Sequence, residues 1–350
     1  MGQALFEEPS EVLSDKASVS DRIDAFAEFE YKARPYSKRN WGNLLHSLCS
    51  YHGKLKPAIA NFLVKTMTKK GERILDPFSG AGTIPLEACL QGRFGDGVDI
   101  NPLAHVNTLA KVSFPSYEDV NVLLHRLKGY LVQNFVSEDE LAKVQLNNIN
   151  GRLQDYFEPR TFGEIVTARK FFFKLCEHTP ASALVESCLL HILHGNRPYA
   201  LSRRSHGLTP FSPTGPFEYK ALLPYLDAKI SRVFLANIHA TYVNGSAYLC
   251  SIFDFNAEKP YDAIITSPPF LRSTRFYISN WMRLWFCGWE NDDFKSTSRS
   301  DYLEEMQAKS INIYEKVFSK FSTLLKSGGL CILHLGVVGK RGGCPNRSWK

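Results

Sequence analysis

The alternation of apolar and polar positions divides the chain into blocks of different period. The first stretch, to about Arg34, is polar and charged and is expected to fray or to cap the fold. Ala58-Ile59-Ala60-Asn61-Phe62-Leu63-Val64 then carries apolar residues at helical spacing. Arg73-Ile74-Leu75 reads as a strand, Asp76 to Gly82 as a tight turn, and Thr83 to Gln91 as a helix. A second short strand, Gly97-Val98-Asp99, precedes Asn101-Pro102, a pair suited to opening a helix. From about Phe114 to Leu235 the pattern is helical and rich in aromatic and basic residues, broken by a Pro/Gly/Ser-rich loop from Gly207 to Pro216. Strand–helix alternation resumes afterwards. Ala240-Thr241-Tyr242-Val243 and Asp262-Ala263-Ile264-Ile265 read as buried strands, and residues 302–325 as one long amphipathic helix closed by Gly328-Gly329. Residues 330–335 then form a last strand.

Strands alternating with helices predict an α/β fold with a doubly wound, mostly parallel sheet and right-handed crossovers, carrying a largely helical insertion. In such a sheet the ligand site lies beyond the carboxyl ends of the strands. Four segments follow: a tail over residues 1–35, a half over 36–113 built on the glycine-rich turn, the helical insertion over 114–235, and a second strand–helix half over 236–350.

Composition changes this picture little. Hydrophobic content of 44% and charged content of 22% are ordinary for a globular protein, and the formal charge of +7 suits a polyanionic partner without requiring one. The eight cysteines are scattered with no C-x-x-C pair, and most sit in apolar runs, which argues against a zinc ribbon or a disulfide framework. The acidic N-terminus has no apolar signal region, and no apolar run approaches spanning length, so a cytoplasmic protein without membrane contact is expected. His191 and His194 lie three apart without recognisable further ligands, so no metal is expected there. Trp281, Trp285, Phe286 and Trp289 read as an apolar helix stripe.

Two motifs carry chemistry. In Asp76-Pro77-Phe78-Ser79-Gly80-Ala81-Gly82-Thr83 the glycines let the backbone turn tightly off a strand and approach a ligand closely. The spacing fits neither G-x-G-x-x-G nor a P-loop. Asp76 suits a ligand with a cationic amino-acid moiety, and Asp99, at the end of the next strand, is placed to accept both hydroxyls of a ribose. In Thr266-Ser267-Pro268-Pro269-Phe270, two prolines after a buried strand fix two φ values and remove two N–H donors, leaving a stiff loop with outward carbonyls. That loop suits an aromatic amine, a poor nucleophile because its lone pair is delocalised. Accepting its N–H groups at the Ser267 hydroxyl oxygen and the Pro268 carbonyl favours a pyramidal nitrogen, and Phe270 offers a ring to stack on an extruded base.

Together these motifs resemble the amino-methylating DNA methyltransferases, a family with a Rossmann-like fold. The resemblance implies S-adenosyl-L-methionine as cofactor, with Asp76, Pro77, Phe78, Ser79, Gly80 and Gly82 around it, Thr83 starting the helix, and Asp99 and Ile100 at the ribose. Ser50-Tyr51-His52-Gly53-Lys54 with Pro57 resembles the element that closes over the methionine end, which places Tyr51 in the site. It further implies that Ser267, Pro268, Pro269 and Phe270 are catalytic, and a Ser-Pro-Pro-Phe loop is most typical of cytosine-N4 enzymes, Asp- or Asn-Pro-Pro of adenine-N6 enzymes. The segment order matches members whose insertion carries target recognition.

Two departures stand out. Where the family often has an acidic residue beside the adenine ring, the corresponding stretch reads Asn244-Gly245-Ser246-Ala247, so Ser246 takes that place. The sequence given also leaves little beyond residue 335 for the family's closing hairpin. The expected substrate is double-stranded DNA, in the setting of a cognate restriction endonuclease system. Arg197, Arg203 and Arg204 in the insertion and Arg272 and Arg275 past the loop are the candidate phosphate contacts. An RNA base methyltransferase and a catalytically silent DNA-binding partner are the alternatives.

Overall fold

The computed structural model describes residues 17–144, 146, 151–207, 209–236, 238, 240–269, 276–295 and 298–335. The first half contains α1 (Val19–Ala27), α2 (Pro57–Met67), β1 (Arg73–Asp76), α3 (Thr83–Leu90), β2 (Phe94–Asp99) and α4 (Pro102–Val112). Five helices follow: α5 (Tyr117–Gln133), α6 (Glu138–Lys143), α7 (Pro159–Lys174), α8 (Pro180–Ile192) and α9 (Leu222–Val233). The chain then runs through β3 (Ala247–Leu249), β4 (Tyr261–Thr266), α10 (Phe276–Phe286), α11 (Leu303–Lys309), α12 (Ile313–Leu324) and β5 (Leu325–Leu333).

The strands form one parallel sheet in the order β3-β2-β1-β4-β5, so the expected α/β architecture is the one observed. From β1 the chain winds outward through β2 and β3, then returns to the other side of β1 for β4 and β5. The order therefore reverses between β1 and β4, and a crevice opens at their carboxyl ends. β1 pairs with β4 through Ile74↔Ala263 and Leu75↔Ile264, which sets Asp76 beside the last residues of β4.

Local chemistry explains the helix starts. Asn101 caps α4 by accepting from the Leu103 N–H, with Pro102 at the first turn. Gly82 caps α3 in the left-handed region, at φ 66°. Its glycine identity also serves packing, because a Cβ there would stand 2.8 Å from Thr108 Oγ1 of α4. Asp96, in β2, ties the sheet together, accepting from Arg73 (3.0 Å), the Tyr261 hydroxyl (2.8 Å) and the Ser246 N–H (2.9 Å).

The helices α5 to α9 share a core with the sheet's own helices. Leu103, Val106 and Ala110 of α4, Leu184, Cys188 and Leu189 of α8, and Trp281, Trp285 and Phe286 of α10 belong to one buried cluster. The tryptophan stripe is thus a core face, as its spacing predicts. α1 lies against α2, and just beyond it Phe29 stacks on Phe62 with ring centroids 3.3 Å apart.

Three expectations are corrected. Residues 240–243 form no strand, because their polar groups turn to α3 and α4: the Tyr242 hydroxyl donates to the Lys111 carbonyl and the Val243 N–H to the Cys89 carbonyl. The strand begins only at Ala247, past Gly245. Residues 302–325 are two helices rather than one, interrupted at 310–312, where the Ser310 hydroxyl oxygen accepts from the Asn312 N–H. Gly328-Gly329 do not close a helix but lie in a bulge of β5. That strand puts Leu325 opposite Tyr261 and Leu330 opposite Ala263, with Gly328 at φ 76°.

Gly97, in the middle of the sheet, has no room for a side chain: a Cβ would fall 2.7 Å from Thr108 Cγ2 and 2.8 Å from Ser79 Cβ. Gly97→Ala is expected to destabilise the protein by about 1–3 kcal/mol through overpacking between β2 and α4. A thermal melt checks this, and an unchanged Tm would contradict the packing described.

Candidate active site

A cavity of about 310 Å³ opens at the β1/β4 reversal. Its wall takes Asp76, Pro77, Phe78, Ser79, Gly80 and Thr83 from the first motif, Asp99 and Ile100 from the end of β2, Tyr51 from the upstream segment, and Ser267, Pro268 and Pro269 from the second motif. Gly82 is absent from the wall, consistent with its packing role. Ser246 is also absent. It stands before β3, at the amino end, and the residues that reach the cavity are Cys250 to Phe253, just past the carboxyl end of that strand. Phe270, Arg272 and Arg275 lie outside the described residues.

The two motifs are joined by a hydrogen bond. Thr266 Oγ1 donates to Asp76 Oδ1 at 2.7 Å, and the Phe78 N–H donates to the same oxygen at 3.2 Å. Burial nonetheless raises the Asp76 carboxyl to about 7, because the charged form lacks water. Asp99 accepts from the Gly80 N–H at 2.8 Å and the Asn101 N–H at 3.0 Å, one on each oxygen, and burial raises it to about 6. Each carboxylate oxygen keeps a further lone pair for a ligand hydroxyl.

Ser267 is oriented by the neighbouring strand end. Its hydroxyl donates to the His334 carbonyl at 3.1 Å, just past β5, so its hydrogen is occupied and its oxygen remains an acceptor. The Pro269 carbonyl accepts from Gln307 Nε2 (3.1 Å), and Gln307 is itself oriented by the Tyr314 hydroxyl, which donates to its Oε1 at 2.9 Å and lies 3.4 Å from the same carbonyl. Among the described residues nothing donates to the Pro268 carbonyl. The loop thus offers two acceptors, a hydroxyl oxygen and a carbonyl, from a backbone stiffened by two prolines.

The upstream segment is nailed over the opening. His46 and Glu87 form a buried contact at 2.6 Å, Asn61 donates to the other Glu87 oxygen at 2.9 Å, and Lys54 Nζ donates to the His46 carbonyl at 2.6 Å. Asn101 Nδ2 reaches the Tyr51 hydroxyl at 3.4 Å, and the Tyr51 ring lies 5.4 Å from that of Phe276. Buried Lys111 donates to the Ala81 carbonyl and pins the turn from behind.

These residues fit S-adenosylmethionine. Two buried atoms on the wall, Thr83 Oγ1 and His52 Nδ1, have no hydrogen-bond partner among the described residues. The carboxyls of Asp76 and Asp99 face the space, where a bound cation would favour their ionised form over the neutral form that burial favours. The sequence motifs did not reveal Tyr302, Glu304, Gln307 or His334, which contribute to the wall or its support. Only their separation by helical spacing, Glu304 and Gln307 three apart, hinted that two of them share a face.

The insertion's arginines occupy a second depression of about 460 Å³ with Gly195, Asn196 and Lys220. Arg203 donates through Nε and Nη1 to the Gly215 and Asp155 carbonyls and lies over the Phe217 ring. Arg197 and Arg204 are exposed. His191 stacks on Tyr199 at 5.2 Å, and no group of three or more potential metal ligands occurs among the described residues. No described helix is long and apolar enough to cross a membrane.

Residues 47–97, which run from the upstream segment through β1 and α3 into β2, match a family model described as RMKL-like, methyltransferase domain. A 99-residue stretch, 28% of this chain, is 27% identical to part of the Type II methyltransferase M.MjaII of Methanocaldococcus jannaschii, and it covers 17% of that protein. Both likenesses are to methyltransferases, and with the parallel sheet and its cavity they support reading the chain as a methyltransferase.

Proposed function

We propose that the protein transfers a methyl group from S-adenosyl-L-methionine to the exocyclic amine of a base in double-stranded DNA, cytosine N4 in the first instance. The observation that carries the proposal is the meeting of Asp76 and the Ser267-Pro268-Pro269 loop in one cavity at the β1/β4 reversal. When bound, the cofactor supplies a methyl group on a sulfonium that is its own leaving group. In this reading Asp99 takes the ribose, Gly80 lets the ligand lie against the backbone under Tyr51, and Thr83 and His52 offer their unpartnered atoms to the amino-acid end. Phe253, beyond β3, takes over the adenine flank that Ser246 does not reach.

The base amine donates to the Ser267 oxygen and the Pro268 carbonyl. Because the Ser267 hydrogen is already given to His334, the hydroxyl cannot donate to the amine and waste its lone pair. Holding both N–H groups draws the nitrogen toward a tetrahedral shape and relieves charge as the methyl arrives, so catalysis is positioning and electrostatics. Phe270 stacks on the extruded base, while Arg197, Arg204, Arg272 and Arg275 hold phosphates. The helical region 114–235 reads the target, and a cognate restriction endonuclease and a cytoplasmic location complete the reading. The preference for DNA and for cytosine N4 rests on the likeness of the Ser267-Pro268-Pro269-Phe270 loop, while the two methyltransferase likenesses support methyl transfer itself.

The purified protein with methyl-labelled S-adenosylmethionine is expected to label duplex DNA and not bulk RNA, and nucleoside digestion to give N4-methylcytosine. Ser267→Ala is expected to lower kcat by about 10²-fold or more with little change in cofactor affinity. Label on RNA alone would move the substrate class, and wild-type turnover by Ser267→Ala would remove the catalytic assignment.

The raised carboxyls give a pH signature. Asp76 and Asp99 titrate above their unfolded values, so the empty protein loses stability as pH rises through about 6–7, where the buried acids ionise. A cationic ligand needs the ionised form. S-adenosylmethionine affinity, and its thermal shift, are therefore expected to grow from about pH 5 to about pH 8. A thermal shift that shrinks with pH would contradict this.

A further inference from the structure

Among the described residues four carboxyls face the cavity, and two of them, Asp301 and Glu304, lie outside both motifs. Asp76 is held by a hydroxyl and an amide, and Asp99 by two amides. Asp301, at the rim, accepts from Ser300. Glu304 stands in the first turn of α11, half-buried; its own backbone N–H donates to its carboxyl, burial raises that carboxyl to about 7, and among the described residues no side chain hydrogen-bonds or ion-pairs with it. Arg299, a cation whose charge acts on Glu304, has other partners: it bonds Glu305 at 3.1 Å, donates to the Phe294 carbonyl and lies 3.8 Å from the Tyr277 ring centroid. Lys54, the one ammonium on the wall among the described residues, is turned to the His46 carbonyl.

A carboxyl partly withdrawn from water and lacking a cation holds its proton more tightly, and a cation bound beside it favours its charged form. Two ligands of nearly equal size would enter this cavity in the reading above: the sulfonium cofactor and the thioether left after methyl transfer. They differ by one methyl group and one positive charge. Shape distinguishes them poorly, since a single methyl is worth little in a pocket; an uncompensated charge on the wall distinguishes them well.

We infer that Glu304 is the residue that makes the cavity prefer the charged cofactor over the spent thioether, and so promotes release of product. This rests on the methyl-transfer reading and names a determinant within that site. The placement also links the two halves of the chemistry. Glu304 lies one turn from Gln307, which holds the Pro269 carbonyl, so the helix that meets the cofactor's charge is the one that braces the loop for the amine.

Titration calorimetry with S-adenosylmethionine and, separately, S-adenosylhomocysteine tests this on the wild type, Glu304→Gln and Glu304→Asp. The wild type is expected to bind the sulfonium more tightly. Glu304→Gln is expected to lose about tenfold in sulfonium affinity while its thioether affinity holds, collapsing the ratio. Glu304→Asp, which keeps the charge, is expected to retain most of the preference. Equal weakening for both ligands, or an unchanged ratio in Glu304→Gln, overturns the inference and leaves the methyl-transfer reading standing. If the wild type binds neither ligand, the methyl-transfer reading fails first. Matching melting curves confirm that the variants are folded.

Discussion

The hydrogen bond from Thr266 to Asp76 is the contact on which the arrangement turns. It joins the last residue of β4 to the last residue of β1, two strands 190 positions apart that lie side by side only because the sheet reverses its order there. Each motif is a short loop beyond one of those ends. Without the lateral pairing, the glycine-rich turn would be an ordinary strand-to-helix connection and the two prolines an ordinary strand stop. With it, a space lined by acids on one side faces a stiff pair of acceptors on the other.

Charge and rigidity are divided between the two sides. On the β1/β2 side the carboxyls of Asp76 and Asp99 are oriented by backbone amides, and burial raises them, so a cation beside them would draw them to the ionised form. On the β4 side the Ser267 hydroxyl and the Pro269 carbonyl are locked by His334, Gln307 and Tyr314, so the loop needs little reorganisation to present its acceptors. The supports come from β5, α11 and α12, late in the chain. The helices of residues 114–235 contribute through a core shared with α4 and α10, and α10 begins at Phe276, beside Tyr51 on the cavity wall.

What the sequence made legible was local. The strand–turn–helix at Asp76, the strand before Ser267 and the cap at Asn101 each follow from neighbours a few residues apart, and all three formed as expected. Gly82 was legible as a turn glycine, but its reason, the approach of Thr108, lies on another helix. The third strand was placed too early because Tyr242 and Val243 have strand-like side chains, while their polar groups are satisfied by the ends of α3 and α4. That shift carried Ser246 away from the cavity. Arg203, read as a phosphate contact, also holds two carbonyls and a ring, partners that no sequence pattern announced. Glu304, Gln307 and His334 belong to no motif, since their partners are reached only through the fold.

A crystal structure with S-adenosylhomocysteine tests the central claim most directly, because it locates the sulfur relative to both strand ends. The account requires the ligand to lie across the β1/β4 reversal, its ribose on Asp99 and its sulfur facing Ser267 and Pro268. A ligand bound elsewhere, or one whose sulfur points away from the Ser267-Pro268-Pro269 loop, would contradict it.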